Sequence, residues 1–566
     1  MNSEQQRRLW FIVGGIVFVT VIVLGRLVAF QVFQGQEWAD KAIDEVLVVA
    51  RPERGMIFDR NGAVLVANTA DYQIGASPRL VSEKPQVATA LAPILQTPRF
   101  EILSDLESDA PYVLLAQRVS EDVAEAVRSF DFDGIQLDPL PRRFYPQGDM
   151  MCHTLGYVDF DGNGTFGLEG YYQQELAGQA ASATVNISPL AEQQGVIARE
   201  GADLVLTIDR TVQFTVERHL QRAMQEHGAS GGVIIVMNPR TGAILAMAAS
   251  PCFSPDRYYE VDEELLRSPI IGTLYEPGSV MKLVTMAAAL DSGTVTPQTT
   301  YYDAGVIEVG GHKTYNWDRS APGTVDMTTL LARSLNVGAA TLATWMGPDT
   351  FYAYLQKFGF GRPTGIDLMG EARGLMPLPG DELWTESFLA TNSYGQGLAV
   401  TPLQMITAVS ALANDGYIMQ PYIVAEIHTE EDVYTHQPSV ISHPITAETA
   451  RQVTAMAVTA VAREVPQAQV PGYTIAGKTG TAQIAENGIY LENDVIGSFI
   501  GWLPADNPEI IVLVKLDRPR SAPWGSLTAA PVFSDLVDEL VVLLGIPPDN
   551  VRLRADLMAA RQNGEP

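Results

Sequence analysis

The stretch YEPGSVMKLVTMAAALDSG, residues 275–293, decides how the rest of this 566-residue chain is interpreted. A Pro-Gly pair marks a helix start, and the apolar run that follows favours a helix up to Asp291. Ser279 and Lys282 are three residues apart, so a helix places both side chains on one face. A serine nucleophile needs a proton acceptor within hydrogen-bond reach, and lysine can serve if burial and a second cation lower its pKa. The positive end of the helix also favours an oxyanion.

Two later elements add to this pair. Taken alone, S-x-x-K is common and indicates no more than a capping serine and a solvated lysine. In LLARSLNVGAATLA, residues 330–343, Ser334 and Asn336 stand two apart at the junction of two helix-like segments. In YTIAGKTGTAQI, residues 473–484, the Lys-Thr-Gly triplet lies in a predicted strand. Together, in this order, S-x-x-K, S-x-N and K-T-G are specific to serine acyl-transfer enzymes.

The same three elements occur in penicillin-binding proteins and class A β-lactamases. Over nearly its whole length, the chain resembles class B (monofunctional) penicillin-binding proteins, D,D-transpeptidases that cross-link peptidoglycan. RGMIFDRNG (residues 54–62), RFYPQG (143–148) and GTFGLE (164–169) resemble the pedestal motifs of that family. The pedestal residues that carry this resemblance are Arg54, Gly55, Asp59, Arg60, Arg143, Pro146, Gly148, Gly167 and Glu169. GADLVLTID (201–209) resembles the start of the catalytic domain, and NSYGQGLAVTPLQM (392–405) the stretch before the K-T-G strand.

The resemblance assigns roles for the first part of the reaction. Ser279 would attack the penultimate D-alanine carbonyl of a stem pentapeptide and expel the terminal D-alanine, while Lys282 takes its proton. Ser334, bridged to Lys282 and Lys478, would return a proton to the leaving amine. Asn336 would hold the amide of the donor peptide. A second stem peptide's amine would then attack the acyl-enzyme.

The resemblance also assigns the groups that bind substrate. The hydroxyls of Thr479 and Thr481, with Lys478 behind them, would bind the terminal carboxylate. Gly480 is expected to let the substrate backbone lie against the strand edge. The backbone N–H groups of Ser279 and Thr481 would form the oxyanion hole. Penicillins and other β-lactams would acylate the same serine, and no metal or cofactor is expected.

An alternative interpretation concerns residues 472–479, which satisfy the nucleotide-binding pattern G-x-x-x-x-G-K-[ST]. In a P-loop the glycines form a loop ahead of a helix, whereas YTIA favours a strand and no helix start follows Thr479. The interpretation therefore fails on context, and Gly472 is expected to be a turn before the strand.

Three alternatives share the serine site. A class A β-lactamase has S-D-N where this chain has S-L-N, and ESFLA, residues 386–390, lacks the asparagine of the water-activating E-x-x-L-N. A D,D-carboxypeptidase has the same three elements, although the pedestal motifs favour transpeptidation. A non-catalytic membrane scaffold of a wall-synthesis complex is disfavoured by the intact serine and lysines.

The N-terminus predicts a membrane anchor. Residues 9–25 carry no charge, and a helix continued to residue 33 would span a hydrocarbon layer of roughly 30 Å. Arg7 and Arg8 precede this segment and acidic residues follow it, so residues 1–8 are expected in the cytoplasm and the catalytic part outside the cell membrane. A cleaved signal peptide is the alternative, but a small-x-small cleavage site is missing. Arg26 would either snorkel to the interface or contact another membrane helix.

The amino-acid composition limits the classes of molecule that this chain is expected to bind. The 37 basic and 66 acidic residues give a formal net charge of −29, which argues against nucleic acid. The spacing of Cys152 and Cys252 resembles neither a metal site nor a redox pair, so packing as small apolar groups is expected; whether they form a disulfide is left open. The family resemblance adds a multi-spanning SEDS glycan polymerase as a partner. GYVDFDGNGTFGLEG, residues 156–170, slightly resembles division-type rather than elongation-type members.

The chain divides by pattern into an elongated strand-rich region and a later region of mixed elements. Strands, then a helical block up to about residue 420, then strands and a final helix predict an α+β fold. The family resemblance makes the catalytic part an antiparallel sheet with helices on both sides. The predicted segments are a cytoplasmic tail (1–8), a transmembrane anchor (9–33), a pedestal domain (34–210), a transpeptidase domain (211–550) and a tail (551–566).

Overall fold

The computed structural model describes residues 18–26, 45–50, 52–186, 198–486 and 489–554. These residues belong to two compact units. The first comprises Met1–Arg54 with Ala177–Gly201, and the second comprises Gly55–Leu176 with Ala202–Pro566. The two units are described separately.

Short strands and helices alternate in the chain up to residue 206. The strands are β1 (Glu45–Ala50), β2 (Ile57–Phe58), β3 (Val64–Ala76), β4 (Val113–Val119), β5 (Ile135–Phe144), β6 (Tyr157–Val158), β7 (Gly164–Thr165), β8 (Ala181–Asn186) and β9 (Asp203–Leu206). The helices are α1 (Lys84–Leu95), α2 (Arg99–Glu107), α3 (Glu121–Arg128), α4 (Cys152–Leu155), α5 (Gly167–Tyr171) and α6 (Gln173–Ala177).

Longer helices and strands make up the rest of the chain. The strands are β10 (Gly231–Met237), β11 (Ile244–Ser250), β12 (Thr300–Asp303), β13 (Val306–Val309), β14 (His312–Tyr315), β15 (Gly323–Asp326), β16 (Ile418–Met419), β17 (Val424–His428), β18 (Val433–Thr435), β19 (Val440–Ser442), β20 (Ala476–Glu486), β21 (Ile489–Leu503) and β22 (Ile510–Asp517). The helices are α7 (Arg210–His227), α8 (Glu263–Leu266), α9 (Met281–Asp291), α10 (Met327–Ala332), α11 (Asn336–Lys357), α12 (Ser387–Ser393), α13 (Pro402–Ser410), α14 (Ala447–Glu464) and α15 (Ala529–Leu543).

The first unit contains the antiparallel pair of β1 and β8. Residues 18–26, within the predicted anchor, are helical, and the remainder of that segment and the predicted cytoplasmic tail lie outside the described residues. In the portion of the chain that the structure describes, none of the helices combines the length and apolarity needed to cross a membrane. Most of the predicted C-terminal tail, residues 555–566, also lies outside the described portion.

In the second unit, a mixed sheet is built around the hairpin that Asn61-Gly62 predicts. Gly62 has a φ of +81°, which the turn between β2 and β3 requires. The strand order is β18-β17-β9-β2-β3-β4, with β5 also paired to β3. Only β2 and β9 run parallel to each other. Because β17 pairs with β9, strands from both sides of the predicted domain boundary share this sheet.

The catalytic region is organised by an antiparallel sheet in the order β11-β10-β22-β21-β20. Alternate residues of β10 face opposite sides: Ile234 packs in the core with α7 and α15, whereas Val233 packs in the core that contains α9 and α13. The predicted α+β fold with helices on both sides of an antiparallel sheet is confirmed. Helix α7 begins after Asp209, whose side chain caps it, and ends at Gly228 in the left-handed conformation.

Helix α9 is the interior helix of this region. Its residues from Met281 to Leu290 are all buried, as expected of a helix that is apolar on every side. A single 3-10 turn, Gly278–Val280, leads into it. The helix that the sequence predicts after the Pro-Gly pair is therefore confirmed, and it is held on all sides by packing.

One part of the secondary structure was predicted wrongly. The sequence suggested helical stretches through residue 420, but β12 to β15 form two small antiparallel pairs. Each of these strands has four residues, which is too short to show a clear alternation of apolar and polar side chains. This segment reaches the catalytic cleft, as shown below.

A buried ion pair joins two of the pedestal motifs. Arg143 Nε lies 2.8 Å from Glu169 Oε1, and the two side chains are 4% and 0% exposed. Arg143 also donates to Asn68 Oδ1 at 2.6 Å. Two charges this deeply buried depend on each other, because neither has water to replace its partner.

We expect Glu169→Ala to lower the free energy of unfolding by about 3–5 kcal/mol, since it leaves the Arg143 guanidinium buried without its carboxylate. The control is Arg451→Ala, which removes an ion pair to Glu448 in which both side chains are more than 60% exposed; it should cost less than about 1 kcal/mol. Urea unfolding of the purified protein measures both. Equal, small effects of the two substitutions would show that the buried pair contributes little.

Candidate active site

The serine and lysine of S-x-x-K meet as the helical spacing predicts. Lys282 Nζ lies 3.0 Å from Ser279 Oγ, and the Lys282 side chain is only 1% exposed. Ser279 sits in the 3-10 turn that precedes α9, and Lys282 lies in the first turn of α9 itself. The pair thus has hydrogen-bond geometry suitable for a nucleophile and its base.

Lys282 also contacts the S-L-N element. Its Nζ donates to the Ser334 carbonyl at 2.7 Å, to Asn336 Oδ1 at 2.7 Å and to the Ser334 hydroxyl at 3.0 Å. The two shortest contacts are to carbonyl-type oxygens, which can only accept. A neutral amine has two N–H bonds for these oxygens and one lone pair left, which can receive the proton of a neighbouring hydroxyl.

Ser334 occupies the short connection between α10 and α11, where the sequence predicted a helix junction. Its φ is +57°, in the left-handed region that non-glycine residues seldom adopt. This conformation lets both the carbonyl and the hydroxyl of Ser334 reach Lys282. A backbone held in a sparsely populated region near catalytic groups is typical of functional sites.

The K-T-G triplet lies on β20, an edge strand of the antiparallel sheet. Lys478 is 3% exposed, and its Nζ donates to the carbonyl and hydroxyl oxygens of Thr479 at 3.2 and 3.4 Å. Within the described part of the chain, Lys478 makes no hydrogen bond to Ser334. Of the two bridges expected for Ser334, the structure therefore contains the one to Lys282.

The two lysines influence each other's protonation. Burial, and secondarily the charge of Lys478, hold the pKa of Lys282 well below its usual range. Burial lowers the pKa of Lys478 to about 7, although the charge of Glu464 opposes the shift. The lowered pKa favours the neutral, basic form of Lys282, and near neutral pH Lys478 carries a charge part of the time.

The turn before Ser279 packs against β20. A Cβ on Gly278, which has a φ of +56°, would lie 2.8 Å from the Thr481 carbonyl oxygen. A Cβ on Gly480 would lie 2.3 Å from Ser498 Oγ and 3.0 Å from the Pro277 carbonyl oxygen. A side chain at position 480 would therefore collide with the protein's own strand and turn. The expected contact of Gly480 with the substrate backbone stays a prediction.

This close packing brings together the two backbone segments predicted to form the oxyanion hole. Thr481 lies opposite Gly497 on β21, and its hydroxyl accepts a hydrogen bond from Gly525 N–H at 3.1 Å. The Ser279 turn lies beside it through the contact of Gly278 with Thr481. The assignment of their N–H groups to an oxyanion hole stays a prediction.

Sequence reasoning missed Glu276, three residues before the serine. Its carboxylate accepts from Gly397 N–H at 2.9 Å and from the Tyr490 hydroxyl at 3.0 Å. Burial raises the pKa of Glu276. The available signal was an acidic residue inside an otherwise apolar stretch, but its partners are more than one hundred residues away.

The remaining pedestal residues lie at turns and buried contacts. Asp59 accepts from Ala63 N–H at 2.7 Å and from Arg210 N–H at 3.1 Å, and Arg60 N–H donates to the Ile208 carbonyl. Gly55, Gly148 and Gly167 occupy positions of close packing or positive φ, and Pro146 lies in the turn closed by Gly148 N–H and the Tyr145 carbonyl. Arg54 belongs to the first unit.

The two cysteines form a disulfide, with their Cα atoms 6.2 Å apart. The expectation that they simply pack as apolar groups was therefore wrong, because the fold brings together residues one hundred positions apart. With His153 they are the one group in the described part of the chain that has metal-ligand spacing. Because both sulfur atoms are in the disulfide, they are not thiolate ligands, and the group indicates no metal site.

Comparison with known families agrees with this geometry. The family described as "Penicillin binding protein transpeptidase domain" matches residues 232–538, which is more than half of the chain. The family described as "Penicillin-binding Protein dimerisation domain" matches residues 49–206. The chain belongs to the penicillin-binding protein transpeptidase family. The resemblance on which the sequence-based prediction rested is thereby confirmed.

Relatives of this penicillin-binding protein span nearly all of it. Stage V sporulation protein D of Bacillus subtilis is 33% identical, over 97% of this chain and 87% of that protein. The probable peptidoglycan D,D-transpeptidase PbpC of Pseudomonas aeruginosa is 30% identical, over 97% of this chain and 98% of the relative. Penicillin binding protein 3 from Mycobacterium tuberculosis, complexed with ampicillin, has a similar structure with a TM-score of 0.69 and 28% identity, covering 88% of this chain and 97% of that one.

We expect Lys478→Gln to move the acidic limb of the acylation rate to higher pH. Acylation needs neutral Lys282, so the rate falls as pH falls through the pKa of that lysine. Removing the Lys478 charge removes one cause of the lowered pKa, and Lys282 then takes up its proton at a higher pH. The measurement is the pH dependence of Ser279 acylation by a labelled penicillin.

A second buried lysine in the same sheet provides the control for this prediction. Lys515 on β22 is 4% exposed and pairs with Asp517. Lys515→Gln should leave the acidic limb where it is. A limb that stays in place or moves to lower pH in Lys478→Gln would contradict the coupling of Lys282 and Lys478.

Proposed function

We propose that this protein cross-links peptidoglycan stem peptides by serine acyl transfer through Ser279. The observation that carries the proposal is the buried Lys282, whose Nζ lies 3.0 Å from the Ser279 hydroxyl and whose pKa burial holds well below its usual range. The family and its named D,D-transpeptidases support this activity, as does the M. tuberculosis neighbour with bound ampicillin. The prediction that the protein is a serine-type D,D-transpeptidase that binds penicillins is confirmed by the family to which it belongs.

The first half-reaction forms an acyl-enzyme. Ser279 Oγ attacks the penultimate D-alanine carbonyl and its proton passes to Lys282, whose two N–H bonds remain on the Ser334 carbonyl and Asn336 Oδ1. The carbonyl oxygen becomes an oxyanion beside the Ser279 and Thr481 N–H groups. When the peptide bond breaks, the Ser334 hydroxyl gives the nitrogen a proton and regains one from Lys282. D-alanine leaves and an ester remains on Ser279.

The second half-reaction transfers the acyl group. An amine from a second stem peptide attacks the ester, a new amide forms, and Ser279 recovers its proton through Lys282. The net change is the exchange of one amide bond for another. A penicillin would enter the same sequence at its strained lactam amide and stop at the ester.

Substrate binding is assigned to the edge of β20 and to the S-L-N turn. The hydroxyls of Thr479 and Thr481 and the charge of Lys478 fit a terminal carboxylate. Asn336 Nδ2 donates to the Tyr315 carbonyl at 3.1 Å, which leaves its second hydrogen for the donor peptide. The chain has a formal net charge of −29, so the charge of the buried Lys478 supplies the local attraction for an anion.

The proposal also covers where the protein lies in the cell and which protein it contacts. Residues 9–33 would anchor the chain in the cell membrane with the catalytic part outside, and the apolar composition of this segment supports it. The disulfide between Cys152 and Cys252 also favours an oxidising compartment over the cytoplasm. A SEDS-family glycan polymerase would be contacted through the anchor and pedestal. We favour a role in cell division over a role in side-wall elongation.

Labelled penicillin tests the acyl-transfer proposal. We expect a stable adduct on Ser279 in the wild-type protein and none in Ser279→Ala. Ser292→Ala, at the opposite end of α9, should be labelled like the wild type because the Ser292 hydroxyl contacts Ala289 and Thr294 near the helix end. Absence of label on Ser279 would favour a scaffold, and loss of the label within seconds would favour a β-lactamase.

A second assay separates transpeptidation from carboxypeptidation and tests the cellular role. A stem-pentapeptide donor offered with an amine acceptor should give the cross-linked amide, whereas a carboxypeptidase would give the hydrolysed tetrapeptide alone. Depletion of the protein in its own cells should produce filaments if it acts in septation. Rounded cells would indicate elongation instead.

A further inference from the structure

The S-L-N turn needs support that its own residues do not supply. Ser334 has a φ of +57°, in the left-handed region that is strained for a residue with a side chain. Helix α11 begins immediately afterwards, and its N-cap residue, Leu335, makes no side-chain capping hydrogen bond. The first N–H groups of any helix lack intrahelical partners, so this helix start requires an acceptor from elsewhere.

Three consecutive residues, the last of β14 and the two that follow it, provide this support. The Tyr315 carbonyl accepts from Asn336 Nδ2 at 3.1 Å, and Asn316 Oδ1 accepts from Val337 N–H at 3.1 Å. Trp317 Nε1 donates to the Arg333 carbonyl at 3.2 Å. The three bonds reach residues 333, 336 and 337, which lie on both sides of Ser334. Asn316 thus acts as the missing cap of α11.

The amide of Asn316 is oriented by a buried carboxylate. Asn316 Nδ2 donates to Asp303 Oδ1 at 3.0 Å and to Asp303 Oδ2 at 3.1 Å, and also to the Ser320 carbonyl at 3.1 Å. These acceptors take the NH₂ end of the amide, so the oxygen end must face Val337. Asp303 is 0% exposed and Asn316 is 1% exposed, so water does not compete for these bonds.

Asp303 is itself fixed from two further directions. It accepts from the Tyr301 hydroxyl at 2.9 Å and from Gly305 N–H at 2.8 Å. The carboxylate charge and burial raise the pKa of Tyr301, so this hydroxyl keeps its proton and remains a donor. A buried carboxylate with several hydrogen bonds is a rigid anchor, since moving it would break them together.

We propose that Asn316, oriented by Asp303, is a positioning residue that holds the S-L-N turn in the arrangement in which Ser334 and Asn336 contact Lys282. It touches no reacting atom and acts through the turn. This inference rests on the proposed function, because the turn matters for acyl transfer only if Lys282 is the base of Ser279.

The chemistry of the pair specifies an amide at position 316 and a carboxylate at position 303. An aspartate at 316 would place two carboxylates about 3 Å apart, which would repel each other or force one to take up a proton. The exchange of both residues, Asp303→Asn with Asn316→Asp, keeps one donor and one carboxylate. The carboxylate at 316 still accepts from Val337 N–H, and the amide at 303 donates to it.

The experiment measures acylation of Ser279 by a labelled penicillin, with the affinity of the first complex separated from the rate of the chemical step. We expect Asn316→Ala and Asn316→Asp to lower the chemical rate roughly 10- to 100-fold, as small displacements of catalytic groups do. The dissociation constant of the first complex should not change. The double exchange should recover part of the rate lost in Asn316→Asp; recovery is incomplete because the Ser320 carbonyl no longer has its donor.

A structural control separates positioning from general destabilisation. Asp209→Ala removes the N-cap of α7, whose Oδ1 accepts from Thr211 and Val212 N–H, and should lower the unfolding temperature measurably. Because α7 lies outside the S-L-N turn, the acylation rate of the Asp209→Ala variant should equal that of the wild type. A normal chemical rate in folded Asn316→Ala, or a double exchange no faster than Asn316→Asp, would overturn the proposal.

Amide hydrogen exchange gives a readout that does not depend on activity. Asn316→Ala should speed exchange in residues 333–340 relative to both the wild type and Asp209→Ala. Unchanged exchange there would also overturn the proposal. If the wild type itself is not labelled on Ser279, the proposed function fails, while the exchange data still decide whether Asn316 holds the turn.

Discussion

The contact on which the cleft depends is the one between the Lys282 amine and four oxygen atoms within 3.0 Å. Two of these oxygens are carbonyl-type and accept only, so they fix the two N–H bonds of a neutral amine. The lone pair is then directed to a hydroxyl. Because burial keeps this lysine neutral, the same environment that makes its charge costly makes it a base. The interior helix α9 supplies that environment by being buried on every side.

The sequence was sufficient to predict the residues that meet at this contact and the main elements that carry them. S-x-x-K has its geometry built into one helical turn, so local spacing determines it. The strands β10, β11, β21 and β22 are long apolar runs, and the caps of α7 are explicit in Asp209 and Gly228. Spacing and composition suffice where one element decides the geometry.

The sequence was insufficient where the geometry depends on contacts between distant segments. Asn316 and Asp303 carry no motif, lie between strands of four residues, and matter only because the fold brings them to the start of α11. The disulfide joins residues one hundred positions apart, and Glu276 meets partners that are distant in the chain. Gly480 was predicted to make room for substrate, but the atoms of the protein that also exclude a side chain there, Ser498 Oγ and the Pro277 carbonyl, are visible only in the packed structure.

The difference between surface charge and buried charge explains how an acidic protein maintains a cleft for an anion. The net charge of −29 acts over the solvated surface, where ions in the medium screen it within about 10 Å. Lys282 and Lys478 are buried, and charges in a less polarisable interior interact more strongly. Their mutual repulsion is therefore relieved by loss of a proton from Lys282, which leaves Lys478 to attract a carboxylate. Burial is the main cause that favours the neutral form of Lys282, and the charge of Lys478 adds to it, so the division of roles follows from the burial of both lysines in a single site.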